Sequence, residues 1–220
     1  TEDFFQVPSL YYDDQLKRLW IGTGSAGLFY YDIIRKSLSD IPIRNFPKQP
    51  ILAIRKDAKN TLLIGIDGQG IWNISEKGDT ILHIYKEDLN NPFSLRGDGV
   101  YDILCDGSKN WIATFTGKLS FFENNNSQIT PVTYQINNPN SLGNNYVNQI
   151  IEDHEGHIWF ATNNGVSRWD AASNKWKHYY QNKSEQQRYS YLYVKITRDI
   201  SGQEVILPAS IYWIVKPEKR

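Results

Sequence analysis

Four stretches of the chain repeat one order of apolar and polar positions. Each has a bulky residue, a second apolar residue, a Gly or Ala, a polar turn that contains Gly, and then an apolar and aromatic run. They are LWIGTGSAGLFYYD (19–32), LLIGIDGQGIWNIS (62–75), NWIATFTGKLSFFE (110–123) and IWFATNNGVSRWDA (158–171). The leading positions, Trp20, Leu63, Trp111 and Trp159, are 43, 48 and 48 residues apart. Short apolar runs separated by turn residues predict paired strands.

A second block precedes three of these stretches. ILAIRKDAKN (51–60), VYDILCDGSKN (100–110) and VNQIIEDHEGH (147–157) each carry spaced apolar residues and then an Asp. Asp57, Asp106 and Asp153 fall 6, 5 and 6 residues before their leading position, and Asp14 falls 6 before Trp20. Because an Asp side chain accepts hydrogen bonds from backbone N–H groups just after it, this block predicts a hairpin turn in each repeat.

Between the repeats, NNPFSL (90–95) and NNPNSL (137–142) indicate connectors, and GDTILHIYKED (78–88) and KWKHYYQN (175–182) indicate outer strands. Four antiparallel strands every 43 to 48 residues is the period of a β-propeller blade. The predicted fold is therefore all-β, a propeller segment spanning 1–220 with four-stranded antiparallel blades.

Four blades are clear and a fifth is degenerate or truncated. In VKITRDISGQEVILPAS (194–210), Val205 replaces the tryptophan and Pro208 stands where threonine is expected. The period leaves open whether five units close or the chain is part of a larger ring. The predicted units are 1–50, 51–99, 100–146, 147–193 and 194–220.

The repeats resemble the two-component regulator propeller family. The resemblance rests on V-x-x-I-x-x-D, then W-I-G-T, a Gly turn and an aromatic strand, with N-P-x-S-L between units. It is closest in 137–170, 90–114 and 19–32 and covers most of residues 10–180.

The resemblance implies a sensor of oligosaccharides in the periplasmic part of a hybrid histidine kinase anchored in the inner membrane. The expected partners are an oligosaccharide and the further propeller, β-sandwich and kinase domains of the same polypeptide, with a homodimer as a further arrangement. Family members usually carry many more blades, and no kinase, sandwich or membrane segment lies in this sequence. A propeller that binds peptides or partner domains, and a carbohydrate-active propeller enzyme, remain as alternatives.

The composition excludes several kinds of partner and site. The chain has 24 basic and 24 acidic residues, so no net charge draws it to nucleic acid or to an anionic membrane surface. Cys105 is the one cysteine, which excludes an internal disulfide and a cysteine-based zinc site. The chain has no long apolar run and no signal-peptide pattern at its start. It begins at Thr1 and contains no methionine. A sequence of this kind is typical of a processed product, a piece of something longer or a sequence with residues missing.

Two motifs resemble a dinucleotide site and a metal site, but their positions in the repeat are better explained as turns. Gly22, Gly24 and Gly27 spell G-x-G-x-x-G, which needs a following helix to bind a dinucleotide, whereas LFYYD follows here. EDHEGHIW (152–159) gathers acidic residues and histidines at the hairpin position, without the helical spacing of a zinc motif. No cofactor, metal or catalytic set is expected, and the recurring tryptophans are expected to pack between blades.

The predicted ligand site comprises the loops that lead into the inner strands. These loops differ between units while occupying one equivalent place, and loops on a rigid scaffold are where binding residues concentrate. Their charges, amides and aromatic rings suit the hydroxyl and acidic groups of a glycan, although the same residues could merely cap the propeller or contact another domain. The site residues are Lys48, Gln49, Arg96, Asp98, Tyr101, Asn144, Asn145, Tyr146 and Asn148.

Overall fold

The computed structural model describes residues 6–179, which form sixteen β-strands. The first eight are β1 Ser9–Asp13, β2 Arg18–Gly22, β3 Leu28–Asp32, β4 Ser37–Asp40, β5 Ile51–Lys56, β6 Leu62–Ile66, β7 Gly70–Ile74 and β8 Ile81–Tyr85. The others are β9 Val100–Cys105, β10 Lys109–Thr114, β11 Lys118–Glu123, β12 Asn126–Val132, β13 Val147–Glu152, β14 Ile158–Thr162, β15 Gly165–Asp170 and β16 Lys175–Tyr179.

The strands form four antiparallel sheets of four, each in the simple order of the chain, such as β1-β2-β3-β4. Such sheets are the blades of a β-propeller, so the predicted fold class is confirmed. The first three sheets belong to one compact unit that ends at Val132, and the fourth belongs to a second unit that starts at Thr133. The predicted fifth unit lies outside the described residues. Within 6–179 the chain has no helix able to cross a membrane.

In the first two sheets, the Gly of the repeat lies where the next blade approaches closely. A Cβ added to Gly22 would lie 2.7 Å from Cγ2 of Ile51, the first residue of the next blade. A Cβ on Gly65 would lie 2.8 Å from Cγ1 of Val100, which begins the blade after that. A larger side chain would push the neighbouring inner strand away, and this explains why the repeat keeps a small residue there.

Two apolar cores join the three sheets of the first unit. Between the first and second sheets, Trp20, Leu28 and Ile41 pack in one cluster with residues of β5, β6 and β7. Between the second and third sheets, Leu63 and Ile71 pack in another cluster with residues of β9 and β10. Trp20 is thus a core residue between blades, as the sequence predicts, and Leu63 holds the equivalent position in the second core. Trp111 is buried and Trp159 is half-buried, and both lie outside these two clusters.

An Asp carboxylate organises the first turn of every blade. Oδ1 of Asp57, Asp106 and Asp153 accepts two backbone N–H groups of its own turn, at 2.6–3.0 Å. In the first blade the prediction of Asp14 is wrong. Asp13 is the buried residue whose Oδ1 accepts the N–H groups of Gln15 and Leu16, because this turn is one residue longer than the repeat suggests.

The G-x-G-x-x-G segment is the loop between β2 and β3. Oγ1 of Thr23 donates to the carbonyl of Gly27 at 2.8 Å and accepts the N–H of Ala26 at 2.9 Å. Gly27 has φ of 91°, a left-handed conformation that glycine adopts without strain, and β3 follows directly. The loop is therefore a hairpin turn and lacks the helix that would bind a pyrophosphate.

We expect the thiol of Cys105 to be unreactive in the folded protein. It packs against the second core, and burial, reinforced by the Asp57 carboxylate, raises the pKa of Cys105 to about 12. Since the thiolate is the nucleophile, iodoacetamide at pH 8 should leave native Cys105 unmodified and alkylate it fully in urea. Mass spectrometry checks this, and rapid alkylation of the native chain would show that the thiol is accessible.

Candidate functional site

In all four blades, the residue after the W-[IF]-[GA]-T pattern is tied to the loop that leads into an inner strand. Asp67 N–H donates to the Pro50 carbonyl at 2.9 Å, and Phe115 N–H donates to the Gly99 carbonyl at 2.7 Å. Gly24 and Asn163 make the same kind of bond. These bonds place two variable loops side by side at one end of each sheet, here called the loop end.

At the loop end of the second sheet, Lys48 and Gln49 are both exposed and lie just before Pro50. The Asp67 side chain lies between the second and third sheets, since a Cβ added to Gly99 would be 3.3 Å from its Oδ1. Asp67 is half-buried, and in the described part of the chain its carboxylate makes no hydrogen bond or ion pair. Its charge is therefore available to a ligand.

An open aromatic pair lies beside this carboxylate. The rings of Tyr101 and Phe115 stack with centroids 4.2 Å apart and an angle of 17° between their planes. Phe115 is 55% exposed, and a Cβ on Gly99 would meet its Cβ at 3.0 Å. Tyr101, a predicted site residue, thus supports an aromatic surface that the sequence analysis missed.

Arg96 and Asp98 lie in the loop that leads into β9, with different roles. Arg96 is half-buried, and its Nη2 donates to the Pro92 carbonyl at 2.5 Å. Asp98 Oδ1 accepts the N–H of Glu87 at 2.7 Å, which fixes the connector between the blades. The Oδ1 atom of Asp98 therefore stabilises the connector. The guanidinium of Arg96 has further N–H donors besides the one bonded to Pro92.

In the second unit, the predicted amides mostly stabilise their own loop. Asn145 Oδ1 accepts the N–H of Tyr134 at 2.7 Å, which repeats the contact that Asp98 makes 47 positions earlier. Asn144 Oδ1 accepts the N–H of Tyr146 at 2.8 Å. Repetition of the Asp98 contact in another blade indicates a structural function for Asn145.

Asn148 and Tyr146 are the outward-facing members of the second unit's site. Asn148 Nδ2 donates to Asn163 Oδ1 at 2.9 Å, and both amides are exposed. The Tyr146 ring is 53% exposed. Asn163 directly follows the W-[IF]-[GA]-T pattern of its blade, as Asp67 and Phe115 do in theirs. These three residues are the site residues that the sequence did not predict, and all three occupy the same position of the repeat. The variability between units that identified the leading loops would have identified them too.

The EDHEGH segment brings together side chains of Asp153, Glu155 and His157. Their potential ligand atoms lie within 4.8 Å of one another. Asp153 Oδ2, however, already accepts the indole N–H of Trp159 at 2.6 Å and lies 3.1 Å from His157 Nδ1. Burial raises the pKa of Asp153, but the hydrogen bonds from Trp159, His157 and Glu155 outweigh it and hold that pKa below its usual range. The carboxylate is thus engaged as the organiser of the turn.

The fold and its variable loop end define a β-propeller that presents candidate binding loops. Residues 141–164 match the two-component regulator propeller family, so the chain carries that family's repeat, as the sequence predicts. The matched segment runs from the end of the second connector through β13 and β14. No curated protein matches the chain.

Solved structures share the fold. The extracellular domain of the hybrid two-component system BT3049 from B. thetaiotaomicron aligns with a TM-score of 0.70 and 23% identity, over 90% of this chain and 26% of that one. The Mitotic Checkpoint Complex aligns with a TM-score of 0.54 and 13% identity, over 80% of this chain and 51% of that one. The chain thus spans about a quarter of the length of the first structure.

Proposed function

We propose that the chain is a ligand-sensing propeller segment from the periplasmic part of a hybrid two-component regulator. The repeat at 141–164 supports this, as does the likeness to the BT3049 extracellular domain. In this proposal the chain binds and does not catalyse, and the histidine kinase that receives the signal lies outside it, with a β-sandwich between them.

The proposed ligand is an oligosaccharide, bound at the loop end of the second and third sheets. The observation that carries this is the exposed Phe115 ring stacked on Tyr101 beside the Asp67 carboxylate. A sugar ring has an apolar C–H face and a rim of hydroxyls, so it needs an aromatic surface with donors and acceptors at its edge. Asp67 supplies an acceptor, while Lys48, Gln49 and Arg96 supply donors from neighbouring loops.

The first sheet supports the presence of further blades in the same polypeptide. Leu62, Ile64 and Ile74 of the second sheet are buried in the core shared with the first sheet. Leu19, Ile21 and Tyr31 hold the equivalent positions of the first sheet, but they are only half-buried. Leu10, Tyr12 and Leu38 share that face by strand register and are exposed.

Another blade would pack on a face of this kind and form a core between the two sheets, like the core that contains Trp20 and Leu28. We therefore include a preceding blade among the partners, with a second copy of the chain as the alternative occupant in a homodimer.

Titration calorimetry with a panel of oligosaccharides tests the ligand. We expect at least one to bind, and Phe115→Ala to weaken that binding about tenfold, because the stacking surface is lost. Phe93→Ala is the matched control, since Phe93 is similarly exposed, at 51%, but lies in the connector and its carbonyl accepts the N–H of Ile129. It should bind as the parent does.

Two results would contradict this assignment. One is an oligosaccharide that binds Phe115→Ala and the parent equally well. The other is a panel in which no oligosaccharide binds while a peptide does, which favours the interaction propeller. Chromatography of the sugar after titration distinguishes a sensor from an enzyme, because a sensor leaves the sugar uncleaved.

A further inference from the structure

The turn between β13 and β14, the first turn of the fourth sheet, gathers side chains that can bind a metal ion. Potential ligand atoms of Asp153, Glu155 and His157 lie within 4.8 Å of one another, and no other such group of three occurs within residues 6–179. These residues lack the spacing of a helical zinc motif, but the hairpin turn brings positions i, i+2 and i+4 together. The turn therefore forms a mixed set of one imidazole and two carboxylates.

The distances between these atoms fit the ligands of one tetrahedral ion. His157 Nδ1 lies 3.1 Å from Asp153 Oδ2 and 3.4 Å from Glu155 Oε2. Zinc binds histidine nitrogen and carboxylate oxygen at about 2.0–2.2 Å, so two of its tetrahedral ligands lie about 3.3–3.5 Å apart. Asp153 and Glu155 are the pair that must approach, and the Glu155 side chain is exposed and free to move. A metal ion can thus replace the proton between His157 and the carboxylates.

The turn already holds the Asp153 carboxylate in one orientation. Its Oδ1 accepts the N–H groups of Glu155 and His157, both at 2.9 Å, and its Oδ2 accepts the indole N–H of Trp159 at 2.6 Å. An ionised carboxylate has about four acceptor positions, so these three bonds leave one, on the oxygen next to His157. Hydrogen bonds of this kind orient metal-binding carboxylates, and here they do not have to break when an ion binds.

The second blade has the same turn without the ligand set. Asp57 accepts the corresponding backbone bonds, and Thr61 Oγ1 donates to Asp57 Oδ2 at 2.9 Å from the position that His157 holds in the fourth blade. Lys59 stands at the position of Glu155. The turn therefore requires neither a histidine nor a second carboxylate, although two of the four histidines of the chain lie in the fourth-blade turn.

The charges of the β13–β14 turn favour a divalent ion. Asp153 and Glu155 supply two negative charges, and within residues 6–179 neither forms an ion pair with a Lys or Arg. His154 Nε2 lies 4.0 Å from Glu155 Oε1, and its side chain is 81% exposed, so His154 can turn to provide a fourth ligand. Imidazole together with carboxylate suits zinc and similar transition metals, whereas calcium and magnesium prefer oxygen ligands alone.

We infer that the β13–β14 turn binds one divalent transition-metal ion of the zinc type, through Asp153 Oδ2, Glu155 Oε2 and His157 Nδ1. His154 completes the tetrahedron. Because the ion joins side chains that the folded turn brings together, it stabilises the start of the fourth sheet. Successive hairpin turns lie at opposite ends of a sheet, so this site is at the end away from the loop end and is independent of the proposed oligosaccharide surface.

Titration calorimetry of the chelator-treated chain with zinc chloride tests the inference. We expect one saturable zinc ion per chain and a thermal midpoint that rises with zinc concentration, because the ion binds the folded turn. His157→Thr should weaken zinc binding at least about tenfold, since loss of a ligand costs no less than loss of a bond that supports one. The new Thr can bond Asp153 as Thr61 bonds Asp57, so the turn should keep its structure. Glu155→Lys, which copies Lys59, should weaken binding similarly.

His83→Thr is the matched control. His83 is exposed on β8, where its ring packs on Tyr85, so this variant should bind zinc as the parent does. The inference is overturned if zinc does not saturate at one ion per chain, if His157→Thr binds zinc as tightly as the parent, or if His83→Thr loses as much affinity. Calcium that binds as tightly as zinc would also overturn it, because an imidazole ligand gives calcium no advantage. Circular dichroism confirms that each variant is folded.

Discussion

Replacing Trp20 with alanine should lower the free energy of unfolding by about 3–5 kcal/mol. Trp20 is fully buried in the core between the first and second sheets. Its ring lies so close to the β7–β8 turn that a Cβ on Gly78 would be 2.6 Å from its Cη2. Removal of the ring therefore leaves a cavity between two blades that the rigid sheets cannot close. Urea unfolding followed by circular dichroism measures the change.

Phenylalanine substitutions refine this test. Trp20 Nε1 is buried with no partner among residues 6–179, whereas Trp111 Nε1 donates to Asp106 Oδ2 at 2.8 Å. Trp20→Phe removes an unpaired donor and should cost less than Trp111→Phe, which breaks the bond to the turn carboxylate. A loss below about 1 kcal/mol for Trp20→Ala would contradict a packed core between these blades.

Asp13→Ala should also be strongly destabilising, by about 3 kcal/mol, while Asp14→Ala leaves stability unchanged. Asp13 is buried, and its Oδ2 lies 3.1 Å from Nζ of Lys56, whose side chain is 9% exposed. Without Asp13, the Lys56 ammonium retains Glu76 but loses its buried partner, and the first turn loses its organiser. Asp14 is exposed and contacts Lys17 at the surface. Thermal unfolding of both variants is the measurement, and equal losses would contradict the assignment of the turn to Asp13.

The pH dependence of the same pair has a definite sign. Burial lowers the pKa of Lys56, but the hydrogen bonds that its ammonium donates to Glu76 and Asp13 outweigh burial and raise that pKa above its ordinary value of 10.5. A raised pKa in the folded state adds stability that is complete below the unfolded value and disappears as pH rises through the folded value. From neutral pH to about pH 10 the penalty of Asp13→Ala should therefore be constant, and above pH 10 it should shrink.

The fold could be predicted from the sequence because every blade needs the same kinds of residue at the same places. Gly22 and Gly65 recur where inner strands touch, and Asp57, Asp106 and Asp153 recur where a turn needs an acceptor. Spacing from Trp20 points wrongly to Asp14 because it assumes turns of equal length, whereas the first turn is one residue longer and Asp13 accepts its N–H groups.

The site was harder to predict because a loop residue's role depends on which hydrogen bonds it has already made. Asp98 and Asn145 vary between blades, as ligand residues do, yet both cap a connector. Phe115 lies in a Gly turn, where the sequence gives no sign that its ring stacks on Tyr101. Only the three-dimensional arrangement distinguishes a side chain that faces a ligand from one that holds its own loop.

A crystal structure of the chain with the tightest-binding oligosaccharide of the panel tests the sensor account most directly. The account predicts a sugar ring whose carbons contact the free face of Phe115, with hydroxyls within hydrogen-bond distance of Asp67 and of at least one of Lys48, Gln49 and Arg96. A bound sugar that touches none of these residues, at another place on the blades, would contradict it.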